Sequence, residues 1–314
     1  MRIVFMGSPE FALPTLRRLI ESEHDVVAVY TQPDRPIGRG RKLASPPVKA
    51  LAVEHNIEVR QPKSISRPES VEAMRELRPD LGVIAAYGQI LRQQVLDIPP
   101  LGILNVHASL LPRWRGAAPI PASILAGDTH TGATIMQVRL ALDAGPMLDR
   151  VAIPISDADT TGTLTPCVAE AGAALLLEVI PRWATGDITA VEQDGAIATY
   201  APQLEKSDAL LDWHRDTAEI AWRKVRAYNP WPMAYTYLDG SPLRIIEATP
   251  LDRQSSAAPG TVVACDDARA GFAVTTADGT LGVITVQAAG KNATSAAEFA
   301  RGRRDLFGKL LGLA

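Results

Sequence analysis

The chain has 314 residues, of which 46% are apolar and 21% charged, with a formal net charge of −3. That length accommodates two domains, each able to bury a core, and the composition is that of an ordinary soluble globular protein. The near-neutral balance excludes nucleic-acid binding through bulk basicity, so any such contact must come from local patches.

No apolar run is expected to span a bilayer. The opening Met1-Arg2-Ile3-Val4-Phe5-Met6-Gly7 reads as a first strand and not as a secretory signal. Cys167 and Cys265 are far apart and lack metal-ligand spacing. Free thiols in a cytoplasmic protein are expected, with no metal.

The first half alternates strand-like and helix-like segments. Strands are predicted at 2–6, 26–30, 58–60, 81–85 and 102–106, and helices around 11–20, 48–55 and 71–77. This alternation predicts an α/β fold with a doubly wound, mostly parallel, Rossmann-like sheet. Further strands are predicted at 134–139 and 147–153. One long helix is predicted at 160–183, with Pro166 marking either a kink or its first turn.

Between 185 and 207 the pattern loosens into Gly, Pro and polar residues, which reads as a linker. A helix at 217–227 follows and is broken at Asn229-Pro230-Trp231-Pro232. Five short strands are then predicted at 235–238, 243–248, 260–264, 271–276 and 281–288, with a closing helix at 298–310. Such a run predicts a small C-terminal β-barrel of the oligonucleotide-binding (OB-like) type. The expected division is a catalytic domain over 1–189, a linker over 190–206 and the barrel over 207–314. From residue 206 onward 13 basic residues face 12 acidic ones, against 19 and 23 before it. The sign of that asymmetry suits a nucleic-acid partner for the second half, although its size is small.

Gly7-Ser8-Pro9-Glu10-Phe11 lacks the second and third glycines of a dinucleotide fingerprint. A tight βα turn is therefore the favoured reading, and a nicotinamide or flavin oxidoreductase is disfavoured. The most informative block runs from Asn105-Val106-His107 through Ala108-Ser109-Leu110-Leu111 into Pro112-Arg113-Trp114-Arg115-Gly116. Along a strand, residues i and i+2 share a face, so Asn105 and His107 project together at a strand end. An amide that donates to a developing oxyanion beside an imidazole that carries a proton is a compact acyl-transfer site. Asp143, in Leu142-Asp143-Ala144-Gly145, could orient the imidazole, or could be an ordinary turn aspartate before glycine.

Arg35, Arg39, Arg41 and Lys42 fall in a Gly/Pro-rich connection after the second strand. Such a cluster is commonly a solvated loop, but its length exceeds what this connection needs, and its charge suits phosphate contacts.

These motifs, with Thr31-Gln32-Pro33-Asp34-Arg35-Pro36, Ala86-Tyr87-Gly88, Gly132-Ala133-Thr134 and Asn229-Pro230-Trp231-Pro232-Met233, resemble those of folate-dependent formyltransferases. Within that family the basic loop is similar to that of the members acting on initiator methionyl-tRNA. The resemblance implies formyl transfer from 10-formyltetrahydrofolate to the α-amine of methionyl initiator tRNA, with Asn105, His107 and Asp143 as the catalytic trio. It further implies folate contacts from Ser109, Leu110, Leu111 and Pro112, with backbone near Gln89-Ile90-Leu91 helping to hold the pterin. tRNA contacts are implied for Arg39, Arg41, Lys42 and Lys206. A monomer without membrane attachment is expected. The rival expectations are a relative acting on an amino sugar or other small amine, and a non-catalytic RNA-binding protein that keeps the trio. Ala108 departs from the glycine usual in the family between the histidine and serine.

Overall fold

A computed structural model describes residues 1–37, 42–253, 255–303 and 305–312, without the side chains of 36, 37 and 42. The chain divides into two compact units. One comprises Met1–Pro119, His130–Pro154 and Thr165–Ala201, and the other Ile120–Thr129, Ile155–Leu164 and Pro202–Ala314.

The first unit is built on a seven-stranded sheet. In chain order its strands are β1 (Arg2–Gly7) and β2 (Asp25–Tyr30), then a hairpin of β3 (Arg35–Ile37) and β4 (Lys42–Ala44) lying outside the sheet. β5 (Val59–Arg60), β6 (Leu81–Ala85) and β7 (Ile103–His107) follow. The short β8 (Arg115–Gly116) precedes β9 (His130–Gln137), β10 (Met147–Pro154) and β11 (Tyr200–Ala201). The sheet order is β10-β9-β7-β6-β1-β2-β5, while β8 and β11 pair only with each other. From β5 to β7 all neighbours are parallel, as the βα alternation predicted, and β9 and β10 extend the edge in antiparallel fashion.

The crossover helices are α1 (Leu13–Glu21), α2 (Pro47–Glu54) and α3 (Pro68–Glu76). Each begins with proline in its first turn, where the missing N–H costs nothing. The strand interiors are apolar on both faces, because helices cover a parallel sheet on both sides. Val4, Met6, Tyr30, Met74 and Ile103 meet in one such layer.

α4 (Gln93–Leu96) was not predicted, and α5 (Pro119–Ala126) is the helix into which the Asn105–Pro119 block runs. α6 (Thr161–Thr185) runs slightly longer than expected and contains both Pro166 and Pro181. By length and composition α6 is apolar enough to cross a membrane, contrary to the expectation from apolar runs. Its apolarity has a packing cause: Leu164, Val168, Ala169, Ala173, Leu176, Val179 and Ile180 are buried.

The second unit holds an antiparallel curled sheet. Its strands are β12 (Tyr235–Leu238), β13 (Ser241–Leu251), β14 (Val262–Val263), β15 (Phe272–Thr275), β16 (Thr280–Ala288) and β17 (Thr294–Ser295). Five follow the predicted positions, and β17 adds a short pairing to β16. Register shifts on either side of Glu247 let the long β13 bend. Trp213, Phe272, Leu243, Ile245 and Val283 fill the interior, with α7 (Ala218–Ala227) packed on β13.

The expected closing helix at 298–310 is corrected to α8 (Ala296–Arg301). Beyond it the backbone bridges Thr261 through Leu310 and Tyr237 through Gly312, so one segment pairs with both edges of the sheet. Those edge N–H and C=O groups need partners that a helix could not provide.

Candidate functional site

β7 delivers Asn105 and His107 to the carboxyl end of the sheet, between parallel β6 and antiparallel β9. α6 crosses directly above. At Gly172 a Cβ atom would stand 2.7 Å from Val106 Cγ1 and 2.8 Å from Ala133 Cβ, closer than packed carbons allow. Glycine there lets the helix clamp the strand that carries both polar residues. Asn105 is half-buried, and its carboxamide has no hydrogen-bond partner among the described residues. It is therefore available to donate to an incoming oxygen.

His107 is 6% exposed. Its Nε2 lies 2.7 Å from the Trp114 carbonyl oxygen. A carbonyl only accepts, so this nitrogen carries a proton. Nδ1 faces Asp143 Oδ2 at 3.7 Å, within ion-pair range but too long for a hydrogen bond. The same Oδ2 accepts the Gly116 backbone N–H at 2.9 Å. Asp143 thus comes beside the His107 ring, while Asn105 shares the strand with His107 two residues earlier. Asp143 holds φ at +46°, the left-handed region.

The implied folate-contact residues lie along the next turn. The Ser109 hydroxyl donates to the Trp114 carbonyl and accepts from the Trp114 N–H, each at 3.0 Å. Its own carbonyl accepts from Thr134 Oγ1 at 2.6 Å, and Thr134 in turn accepts from the Leu111 N–H at 3.1 Å. Leu111 is fully buried, whereas Leu110 and Pro112 are partly exposed. Arg150 donates to the Leu111 carbonyl at 3.2 Å. Ser109 and Leu111 therefore shape the turn, and Leu110 and Pro112 present surface.

Gln89 is committed to structure: its amide bridges the Ile65 N–H and the Pro62 carbonyl at 2.7 and 3.0 Å, leaving Ile90 exposed beside it. Lys206 opens a short 3-10 turn in the second unit and is exposed. Arg39 and Arg41 lie outside the described residues, as does the side chain of Lys42, whose backbone forms part of β4. The hairpin base is anchored by Asp34, which accepts from Lys49 Nζ at 2.7 Å and Gln61 Nε2 at 2.8 Å. Those bonds, led by Gln61, hold the Asp34 carboxyl below the usual carboxylate range.

Two participants were missed by sequence reasoning: the Trp114 carbonyl and the Thr134 hydroxyl. Nothing in their spacing marks them, because each acts through backbone contacts made by the fold. Among the described residues no group of three or more His, Cys, Asp or Glu could hold a metal ion.

A family model described as formyl transferase matches residues 1–180, and one described as formyl transferase, C-terminal domain, matches 203–304. The chain belongs to the formyl transferase family. It is 50% identical over 312 residues to a methionyl-tRNA formyltransferase of Methylococcus capsulatus, covering 99% of this chain and all of that one. To a methionyl-tRNA formyltransferase of Hydrogenovibrio crunogenus it is 45% identical, covering 99% of each.

Solved structures share the formyl transferase fold at lower identity. An N-formyltransferase from Helicobacter canadensis, in complex with folinic acid and dTDP-3-aminofucose, matches with a TM-score of 0.67 and 16% identity, over 91% of this chain and 98% of that one. HypX from Aquifex aeolicus, in complex with tetrahydrofolic acid, matches with a TM-score of 0.60 and 21% identity over 96% of this chain. The chain spans about half the length of HypX, 47%.

Proposed function

We propose that this chain transfers the formyl group of 10-formyltetrahydrofolate to the α-amino group of methionyl initiator tRNA. The observation that carries the reading is full-length identity of 45–50% to relatives named for that reaction. The amide–imidazole–carboxylate cluster at the end of β7 supplies a chemistry for it.

Attack of the amine on the formyl carbon places negative charge on the formyl oxygen. Asn105, whose carboxamide is uncommitted, donates to that oxygen. His107 Nε2–H is aimed at the Trp114 carbonyl, so it serves the oxyanion by exchanging that acceptor for the substrate oxygen. With Asp143 beside Nδ1, His107 works as the imidazolium. Its Nε2 proton goes to the departing folate nitrogen, leaving a neutral ring, and the proton lost by the attacking amine returns to that ring through water held by Asp143. Leu110 and Pro112 line the approach for the folate, and Ser109 and Leu111 keep the turn in shape.

Arg39, Arg41, Lys42 and Lys206 are the proposed phosphate contacts to tRNA, which positions its acceptor end near the cluster. The division into a catalytic domain, a linker beginning near 190 and a tRNA-binding barrel belongs to the same proposal, as does a cytoplasmic monomer.

The test is formyl transfer from 10-formyltetrahydrofolate to methionyl initiator tRNA, compared with amino-sugar nucleotides. The reading requires kcat/KM for the tRNA to exceed that for any small amine by at least a hundredfold. Preference for a small amine would overturn it.

A further inference from the structure

We infer that Gln193 is a positioning residue that holds the Asp143 loop in its working conformation, and that Arg115 holds Gln193 in turn. The inference rests on the proposed role of Asp143 in the transfer.

The loop after β9 has little apolar packing to fix it: Leu140 and Leu142 are 63% and 64% exposed. Yet Asp143 occupies left-handed backbone that a side-chain-bearing residue enters only at a cost. Something must therefore impose the conformation. Gln193 Nε2 donates to the carbonyls of both Asp143 and Gly145, at 2.8 and 2.7 Å. These two bonds use both protons of one amide nitrogen, and they fix the main chain from the carbonyl of the residue with the unusual φ onward to Gly145.

The amide is itself constrained at two points. Its Oε1 accepts from Arg115 Nε at 3.0 Å. The preceding chain is locked to the start of β10 by reciprocal Met147–Val191 backbone bonds of 2.8 Å. Arg115 is 6% exposed and has no carboxylate within ion-pair distance among the described residues. A buried guanidinium without an anion needs a strong neutral acceptor, which the Gln193 oxygen supplies. Arg115 also precedes Gly116, whose N–H meets Asp143 Oδ2. One short segment thus grips the aspartate from the side-chain end, and Gln193 grips it from the main-chain end.

Only an amide fits both demands. Glutamate could accept from Arg115 but could not donate to the two carbonyls, and methionine could do neither.

The experiment compares Gln193→Glu and Gln193→Met in the full chain. Gln193→Glu gains an ion pair with Arg115 and is expected to keep Tm within about 2 °C of wild type. We expect kcat to fall roughly tenfold to a hundredfold in both variants while KM for each substrate stays within about threefold. In an Asp143→Asn background, either substitution should cost less than about twofold further, because the residue acts through Asp143. Losses that multiply in the double variant, or kcat within about twofold of wild type in both single variants, would overturn the inference.

A readout independent of the acceptor is amide hydrogen exchange at Gly116. Release of the Asp143 loop should speed it by at least about tenfold in Gln193→Glu. Unchanged exchange there would refute the clamp even if the substrate assignment held. Faster exchange in a chain that formylates some other amine would support the clamp and move only the substrate reading.

Discussion

Asp143 approaches His107 without closing on it: its Oδ2 stands 3.7 Å from the ring Nδ1 while the same oxygen is already engaged by the Gly116 N–H at 2.9 Å. The carboxylate is therefore held by backbone first and by imidazole second. Contacts of this kind commonly tighten only once substrate is bound. The ring is poised between that carboxylate and the Trp114 carbonyl, and the chemistry of each member can be separated by substitution.

Replacing Asn105 or His107 with alanine should lower kcat by about 10²–10⁴-fold, the usual loss on removing an oxyanion donor or a proton carrier. Affinity for tRNA and for folate should stay within about threefold. Single-turnover formylation beside equilibrium binding measures both, and near-normal turnover in either variant would place the chemistry elsewhere.

Gly172 sets how closely α6 approaches Val106 and Ala133. Gly172→Val should push the helix outward and destabilise the first unit by about 1–3 kcal/mol, the ordinary penalty for overpacking. It should also reduce kcat, because the displaced strand carries Asn105 and His107. Urea denaturation followed by tryptophan fluorescence, with kinetics on the folded fraction, checks both effects.

Asp34 contributes a pH-dependent term at the base of the β3–β4 hairpin. Its carboxyl is held below the ordinary range by Gln61 and Lys49, so its stabilising contribution is complete above the unfolded value near 4. The contribution disappears as pH falls through the lower folded value. Asp34→Asn should therefore lower Tm at pH 7, and the gap from wild type should narrow on acidification below about pH 4. A gap that widens in acid would contradict the assignment.

Neutralising Arg39, Arg41 and Lys42 together should weaken tRNA binding uniformly. If each meets one phosphate, the slope of log K against log salt should become shallower by about 2–3. Titrations between 50 and 200 mM salt measure it, and an unchanged slope would remove this segment from the tRNA footprint.

Much of the architecture could be read from residue order, because parallel strands are apolar on both faces and alternate with amphipathic helices. The placing of Asn105 and His107 on one strand at a spacing of two was equally legible. The convergence of Asp143 was not: a turn aspartate before glycine has an equally good local explanation, and only the family resemblance selected it. The bounds of α5 were not legible, because Pro119 and Pro121 in its first turn disguise an almost wholly apolar helix. The end of the chain was misread as helical because Leu306, Leu310 and Leu311 have helical spacing, while the backbone there is needed at the sheet edges. Gln193 is the extreme case. It meets carbonyls about fifty positions earlier, and main-chain oxygens leave no trace in side-chain identity.

The reciprocal backbone bonds between Met147 and Val191 also bear on how this protein can be cut. An excised fragment ending at Thr185, where the long helix stops, would retain all three polar groups of the cluster yet lose the strap that seats one of them. A recombinant piece meant to work without the barrel should extend through Ala201, where β11 completes its pairing with β8.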